Sequence, residues 1–250
     1  MSVSMPGLRR LAARASGSPG AAVGPRAGIA PGQSLAGGPA VAGGETTGGA
    51  SERCELCAEP APPEHRHLLE VSERRLCCVC RACSVLFDNP AAGGGRYLMI
   101  PNQRWLLRDF HLDDAAWAGL RIPVDMAFFF HDSAAGQQVA FYPSPAGAVQ
   151  SLLPLATWQQ IESANPVLGG LAADVEALLV NRARGAAEHF VTPVDDCYSL
   201  VGLIRRSWKG LSGGEQVWDE INQFFHQLRR SATQVAASQN VSGVPGAVEQ

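Results

Sequence analysis

Long apolar runs and an excess of positive charge are both missing from this sequence. No segment approaches the ~20 consecutive apolar residues that cross a bilayer, so we expect no membrane span. The chain has 23 acidic residues against 20 lysines and arginines, a net charge of -3. Between Arg53 and Cys83, five arginines are matched by five glutamates. Because no basic surface is available to attract phosphates, we expect no nucleic-acid partner.

Catalytic signatures are missing as well. The sequence has no G-x-S-x-G elbow, no H-E-x-x-H pair, no Walker loop and no G-x-G-x-x-G between a strand and a helix. Asp195, Asp196 and Cys197 could join His189 in a Cys/His/Asp site. The two aspartates are equally well placed to complement a helix dipole, and Cys197 falls on an apolar helical stripe where a thiol is inert. We therefore favour a non-enzymatic role.

Cysteine is unevenly distributed along the chain. Six of the seven cysteines lie between Cys54 and Cys83. This clustering is typical of metal binding and not of a disulfide framework, which indicates a reducing compartment. The arginine pair Arg9 and Arg10 is followed by LAARASGSPGAA, which lacks the apolar core of about 7–15 residues that an export signal requires. The sequence therefore predicts a cytoplasmic protein.

Two C-x2-C pairs predict a four-thiolate metal site. Two thiols three residues apart on a tight turn point the same way, and two such turns facing each other make a tetrahedral cage. The cage suits Zn2+, which we favour, or a single iron. The ligands predicted from this spacing are Cys54, Cys57, Cys80 and Cys83.

Other side chains in the same segment could replace one of these thiols. His65 and His67 are two residues apart and would share one face of a strand. The thiols of Cys77 and Cys78 lie next to the second pair. Of these two, Cys78 is the alternative ligand. Cys77 follows Leu76 and is also consistent with a small buried hydrophobic residue.

Composition divides the chain into four parts. Residues 1–50 are rich in Gly, Ala and Pro and are predicted to be a disordered tail. Residues 51–90 form the metal module, which is too short to have much core without its metal. Residues 91–231 form an α+β domain. Residues 232–250 are predicted to be a disordered C-terminal tail.

The fold class expected is α+β, with a small zinc-ribbon-like or rubredoxin-like module followed by a mixed sheet and C-terminal helices. Residues 124–131 and 138–143 are predicted to form one β-hairpin, and residues 176–182 and 188–193 are predicted to form another. The segment 146–166 is predicted to form two helical pieces divided at Pro154.

Two amphipathic helices are predicted at the C-terminal end. The first begins with Thr192 as N-cap and Pro193 at the first helical position, and ends at Gly210. The second begins with a capping box from Ser212 to Glu215.

Long stretches of the chain resemble a family of uncharacterised bacterial proteins encoded in gene clusters of high-affinity, actinobacterial-type nickel-iron hydrogenases. The resemblance covers about residues 51–228. At Ala58 this chain departs from the glycine expected after the first thiol pair. The segments that carry the resemblance are CELCAEPAPPEHRHLLE, AGGGRYLMIP, RIPVDMAFFF, VAFYPSPAGA, ADVEALLVNRARG and DDCYSLVGLIRRSWKGLSGGEQVWDEINQFF.

The resemblance implies an accessory protein that assists the maturation or assembly of such a hydrogenase. Its partner would be a hydrogenase subunit or a maturation factor. It also implies a metal knuckle at Cys54, Cys57, Cys80 and Cys83, and assigns no catalytic residue. The alternative is a rubredoxin-like iron module that serves the hydrogenase in electron transfer or oxygen protection.

Overall fold

The computed structural model describes residues 52–210 and 213–238. These residues form an α+β fold with two sheets and C-terminal helices, as predicted. The N-terminal segment 1–50, the predicted capping residue Ser212 and the end of the chain from residue 239 lie outside the described residues, and the N-cap of the last helix is Gly213. In the part that is described, no helix is both long and apolar enough to span a membrane.

A three-stranded antiparallel sheet carries the cysteine-rich segment. Its strands are ordered β2-β1-β3, so the hairpin formed by the first two strands is extended by a third. A short helix and a 3-10 turn connect β2 to β3. These elements are β1 (Arg66–Glu70), β2 (Arg75–Val79), α1 (Arg81–Phe87), the 3-10 turn (Pro90–Gly93) and β3 (Tyr97–Met99).

A seven-stranded mixed sheet makes up the larger part of the fold. Its order is β10-β4-β9-β8-β5-β6-β7, in which only the β10-β4 pair is parallel. The strands are β4 (Trp105–Arg108), β5 (Met126–Asp132), β6 (Gln137–Ser144), β7 (Gly147–Ser151), β8 (Glu176–Asn181), β9 (Glu188–Pro193) and β10 (Thr233–Ala236).

Both predicted hairpins are confirmed, as β5-β6 and β8-β9. The prediction of a helical piece before Pro154 is wrong, because Gly147–Ser151 pairs with β6 as strand β7. The tight turn before β7 explains the difference. Ala146 N donates to Ser144 Oγ at 3.1 Å, and Gly147 has a φ of 124°, which favours glycine.

Four further helices pack on the large sheet. They are α2 (Asp114–Gly119), α3 (Leu155–Ala164), α4 (Val194–Ser207) and α5 (Gly214–Ser231). The apolar stripe predicted for α4 is buried, from Cys197 to Ile204. In α5 the buried residues are Val217, Ile221, Phe225 and Leu228.

The predicted ends of α4 need correction. Thr192 is not the N-cap, because it belongs to β9, whose pairing with β8 continues through Pro193. The Thr192 hydroxyl donates instead to the carboxylate of Asp196. The helix ends at Ser207, before the predicted Gly210, because Trp208 turns to an extended conformation.

The prediction that the chain is disordered from residue 232 onward is wrong for residues 232–238. Strand β10 pairs with β4 in this segment, and Ala237 is buried beside it. Ala237 N donates to Arg108 O at 3.0 Å, and Ala237 O accepts from Val167 N at 3.1 Å. Polar composition hid this strand, because it lies at a sheet edge where Thr233 and Gln234 are exposed and the other two side chains are only half-buried.

Hydrophobic cores lie on both faces of the large sheet. Phe128 and Phe130 of β5 belong to the core covered by α4 and α5, whereas Phe129 packs against Trp158 of α3. Strand β5 is therefore covered on both sides. The small sheet joins the first core through Leu69 and Leu76. The domain boundary near residue 90 stays a prediction. Strand β3 lies after residue 90 and is nevertheless the third strand of the small sheet.

Candidate metal centre

The first cysteine pair lies on a tight turn before β1. Cys54 N donates to Glu59 O at 2.8 Å, and Ala58 N donates to Cys54 O at 2.8 Å. These bonds close the turn and bring the thiols of Cys54 and Cys57 to one side. Cys54 is only 2% exposed, while Cys57 is at the surface.

Ala58 closes this turn in the left-handed region, with a φ of 63°. That conformation suits glycine and costs roughly 1–2 kcal/mol for a residue with a Cβ. Arg53 donates from Nη1 to Ala58 O at 3.0 Å and helps to hold the turn. The departure from the expected glycine is therefore accommodated by strain and not by a different turn.

The second cysteine pair lies at the start of α1. Cys80 is the extended residue that precedes the helix, and Cys83 is in its first turn. Ser84 N donates to Cys80 O at 2.9 Å, which fixes this turn. The start of a helix thus provides the three-residue spacing that the sequence pattern requires.

The two pairs face each other. The sulfur atoms of Cys54, Cys57, Cys80 and Cys83 all lie within 4.8 Å of one another. Cys57 Sγ and Cys80 Sγ are 3.6 Å apart. Four sulfurs at ~2.3 Å from a tetrahedral Zn2+ are roughly 3.8 Å from each other. The spacing therefore fits a metal ion bound by four thiolates.

The environment of these thiols is also suited to a cation. Burial disfavours ionisation of Cys54, but the backbone amides of Cys80, Cys57 and Leu56 outweigh it and lower the pKa of this thiol to about 6. Burial, followed by the other three thiols, raises the pKa of Cys83. A bound cation would relieve the repulsion among four thiolates.

Cys77 lies outside this group of four sulfurs. It is fully buried with Leu68 and Val79 in the small core beneath the metal centre. Burial raises the pKa of the Cys77 thiol to about 11, so it stays protonated. The residue behaves as the small buried hydrophobic residue that the sequence suggested.

The alternative ligands lie in a group of their own. His65, His67 and Cys78 converge on the other face of the β1-β2 hairpin, and their ligand atoms also lie within 4.8 Å of one another. The sequence showed that the two histidines could share a face. Their convergence on Cys78 depends on the strand register, which the sequence alone did not define.

A Cys/His/Asp site at Cys197 is not assembled. Cys197 is completely buried in the core under α4, and burial raises its pKa well above the ordinary value. His189 instead stacks on Phe110, at 4.5 Å between ring centroids. Its strand neighbours Phe190 and Val191 belong to opposite cores, so His189 shares the Val191 face, away from Cys197.

The chain is thus an α+β protein with a four-cysteine cluster that can hold a metal ion such as zinc. It belongs to a family of unknown function, DUF5947, whose model matches residues 53–232. The match covers the cysteine cluster and nearly all of both sheets. No curated protein and no solved structure matches this chain.

Proposed function

We propose that this protein is a non-enzymatic, metal-binding accessory protein whose zinc is structural. The observation that carries the proposal is the convergence of four thiols from two turns within 4.8 Å. A site closed by four protein ligands leaves no position for substrate, which is typical of structural zinc. Six of the seven cysteines are clustered with metal-binding spacing, and we place the protein in the reducing cytoplasm on this basis.

The metal would stabilise a module with little core of its own. The core beneath the centre consists of Cys54, Leu68, Cys77, Val79 and Cys80, two of which are predicted ligands. A structural zinc contributes on the order of 10 kcal/mol to small modules of this kind. The bound ion would therefore fix the orientation of α1 relative to the small sheet.

Helix α1 offers a surface for a protein partner. Val85 and Leu86 are 70% and 59% exposed and lie two and three residues after Cys83. Adjacent exposed apolar side chains are a common feature of interaction sites. The partner we propose is a subunit of a nickel-iron hydrogenase or one of its maturation factors, and this choice rests on the sequence resemblance.

The test is copurification of the full chain with coexpressed hydrogenase subunits and maturation factors. We expect Val85→Asp/Leu86→Asp to reduce recovery of the partner at least tenfold while its metal content stays unchanged. Leu152→Asp is the matched control, because Leu152 is 79% exposed at a distant connection in the sequence. Equal recovery with all three proteins, or no recovery with the unmodified chain, would contradict the proposed role.

A second candidate is a rubredoxin-like iron module in electron transfer or oxygen protection of the hydrogenase. The exposed position of Cys57 favours it, because an electron carrier needs a ligand close to the surface. Four thiolates accept iron as well as zinc. Iron with thiolate charge-transfer absorption in the purified protein would select this function over structural zinc.

A further inference from the structure

A second group of metal-binding side chains lies on the β1-β2 hairpin. His65, His67 and Cys78 each offer one ligand atom, and the three atoms lie within 4.8 Å of one another. We propose that they form a second metal site, for a borderline-soft divalent ion such as Zn2+. This site shares no residue with the four-cysteine centre and does not depend on the proposed accessory role.

Strand register brings the three side chains together. His67 and Cys78 are direct partners across the hairpin, and side chains of such a pair start about 4.5–5.5 Å apart at Cβ. His65 precedes His67 by two residues and shares its face. The two imidazole rings are 5.0 Å apart between centroids. Cys77, one residue before Cys78, points to the opposite face and into the small core.

His65 is oriented as a metal ligand would be. Its Nδ1 is 2.9 Å from Pro62 O, so Nδ1-H donates to this carbonyl and leaves the lone pair of Nε2 free. The side chain is only 7% exposed, and its buried Nε2 makes no hydrogen bond, although a carboxylate oxygen of Glu52 lies 3.5 Å away. A buried imidazole nitrogen without a partner is costly, and a metal ion would supply the missing interaction.

His67 is held in the same way by a different partner. Its Nδ1 is 2.9 Å from Asp195 Oδ2, at the start of α4. A carboxylate on Nδ1 fixes the tautomer in which Nε2 binds metal and makes that nitrogen more basic. The same carboxylate also places negative charge beside the proposed cation.

Glu52 provides a candidate for the fourth ligand. Its Oε2 is 3.5 Å from His65 Nε2, and its side chain is largely exposed. Three anchored ligands and one exposed carboxylate would leave the ion accessible from solvent. The four-cysteine centre, in contrast, is closed by protein ligands. We therefore expect this second ion to exchange faster than the first.

The test is metal stoichiometry of the full chain, loaded with Zn2+ under reducing, anaerobic conditions. We expect two ions per chain in the unmodified protein and one in His65→Ala and in Cys78→Ser. His131→Ala is the matched control, because His131 is an exposed histidine on β5 that belongs to neither group. Co2+ spectra should lose the mixed nitrogen-sulfur component in both variants and keep the four-thiolate component.

Asp195 tests the positioning of His67. Loss of such an outer partner lowers metal affinity about 10–100-fold. We expect Asp195→Asn to weaken only the second ion by this factor in a competition titration, with far-UV circular dichroism unchanged. An unchanged affinity in Asp195→Asn would overturn the assigned role of the His67–Asp195 pair.

Unchanged stoichiometry and Co2+ spectra in both His65→Ala and Cys78→Ser would overturn the second site. Thiol reactivity gives an independent measurement. Cys78, His67 and Asp195 also follow the order of thiol, imidazole and carboxylate that activates a nucleophile in enzymes. The reactivity of Cys78 therefore distinguishes a metal ligand from an activated thiol. Ligation predicts that Zn2+ protects Cys78 from iodoacetamide. Alkylation of Cys78 at the same rate with and without Zn2+ would contradict ligation.

This experiment tests the two metal centres independently, so either assignment can be disproved without the other. A mixed nitrogen-sulfur Co2+ spectrum that survives in Cys54→Ser would support the second site even if the four-thiolate component were absent from every protein. That result would count against the structural zinc proposed above and leave the present inference standing.

Discussion

The burial of His189 makes the free energy of unfolding of this protein depend on pH in the acid range. Burial, followed by the charge of Arg182, lowers the pKa of His189 to about 4 from an ordinary value of 6.5. Between these two pH values the unfolded chain binds a proton at His189 and the folded chain does not. The free energy of unfolding therefore falls as the pH decreases through this range.

We predict that His189→Phe reduces this loss of stability. Phenylalanine keeps the stacking on Phe110 but cannot take up a proton. A pKa difference of this size corresponds to on the order of 3 kcal/mol between pH 7 and pH 4. Urea unfolding at several pH values should show a flatter profile for the variant than for the unmodified protein.

His131→Phe serves as the control for this measurement, because His131 is exposed on a strand of the same sheet. Its pH profile should parallel that of the unmodified protein. If the pH profile of His189→Phe also runs parallel to that of the unmodified protein, His189 has the same pKa in the folded and unfolded chains. That result would contradict the prediction.

Single residues show why spacing identified only some of the candidate metal ligands and their partners. The thiols of Cys54 and Cys57 converge through a local turn, so C-x2-C spacing was enough to group them. The carboxylate on His67 comes from Asp195, 128 residues away. No local pattern identifies such a partner, because its position depends on how α4 packs against the small sheet.

At the scale of single elements, β10 decides whether the C-terminal segment belongs to the fold. It covers the edge of β4, and an uncovered edge would leave a row of backbone groups open to pairing with another chain. The buried Ala237 then anchors the segment in the core on the α3 side of the sheet.

We predict that Ala237→Glu destabilises the protein by about 2–4 kcal/mol, because a carboxylate would enter an apolar core without a partner. Thermal or urea unfolding measures the effect. Thr233→Glu is the control, since Thr233 is exposed on β10, which precedes Ala237, and its substitution should change the stability by less than about 0.5 kcal/mol.

If the C-terminal segment were disordered, neither substitution would change the free energy of unfolding. Equal stability of Ala237→Glu and Thr233→Glu would thus argue that β10 does not pair with β4 in solution.

The elements that the sequence predicted well carry a strong hydrophobic pattern. Helix α5 places its buried side chains at helical spacing from Val217 to Leu228, and strand β5 is an almost continuous apolar run. Two of the missed strands, β7 and β10, are short and lie at the two edges of the sheet. Their side chains are half-exposed or exposed, so neither strand has a buried face that periodicity could reveal.

At the scale of the whole molecule, the metal module and the large sheet are physically linked. Arg74 pairs with Asp132 at the end of β5, and His67 pairs with Asp195 at the start of α4. Leu69 and Leu76 also enter the core beneath α4 and α5. A change in the metal centre is therefore expected to affect the stability of both sheets.

The fold class and the first ligand set follow from local features of the sequence, whereas the arrangement of the two sheets does not. Strand order depends on pairings between distant segments, such as β4 between β9 and β10. Hydrophobic patterning defines which face of a strand is buried, but many strand orders satisfy the same pattern. The link from Asp195 to His67 depends on this arrangement.

The most direct test of the four-thiolate centre is the metal content and visible spectrum of the chain purified anaerobically without chelator. We predict a colourless zinc protein, and the loss of at least one zinc per chain with strongly lowered melting in both Cys54→Ser and Cys83→Ser. Cys197→Ala should keep its zinc, because Cys197 is buried far from the cluster in the large core. Unchanged metal content and melting in both serine variants would contradict the assignment.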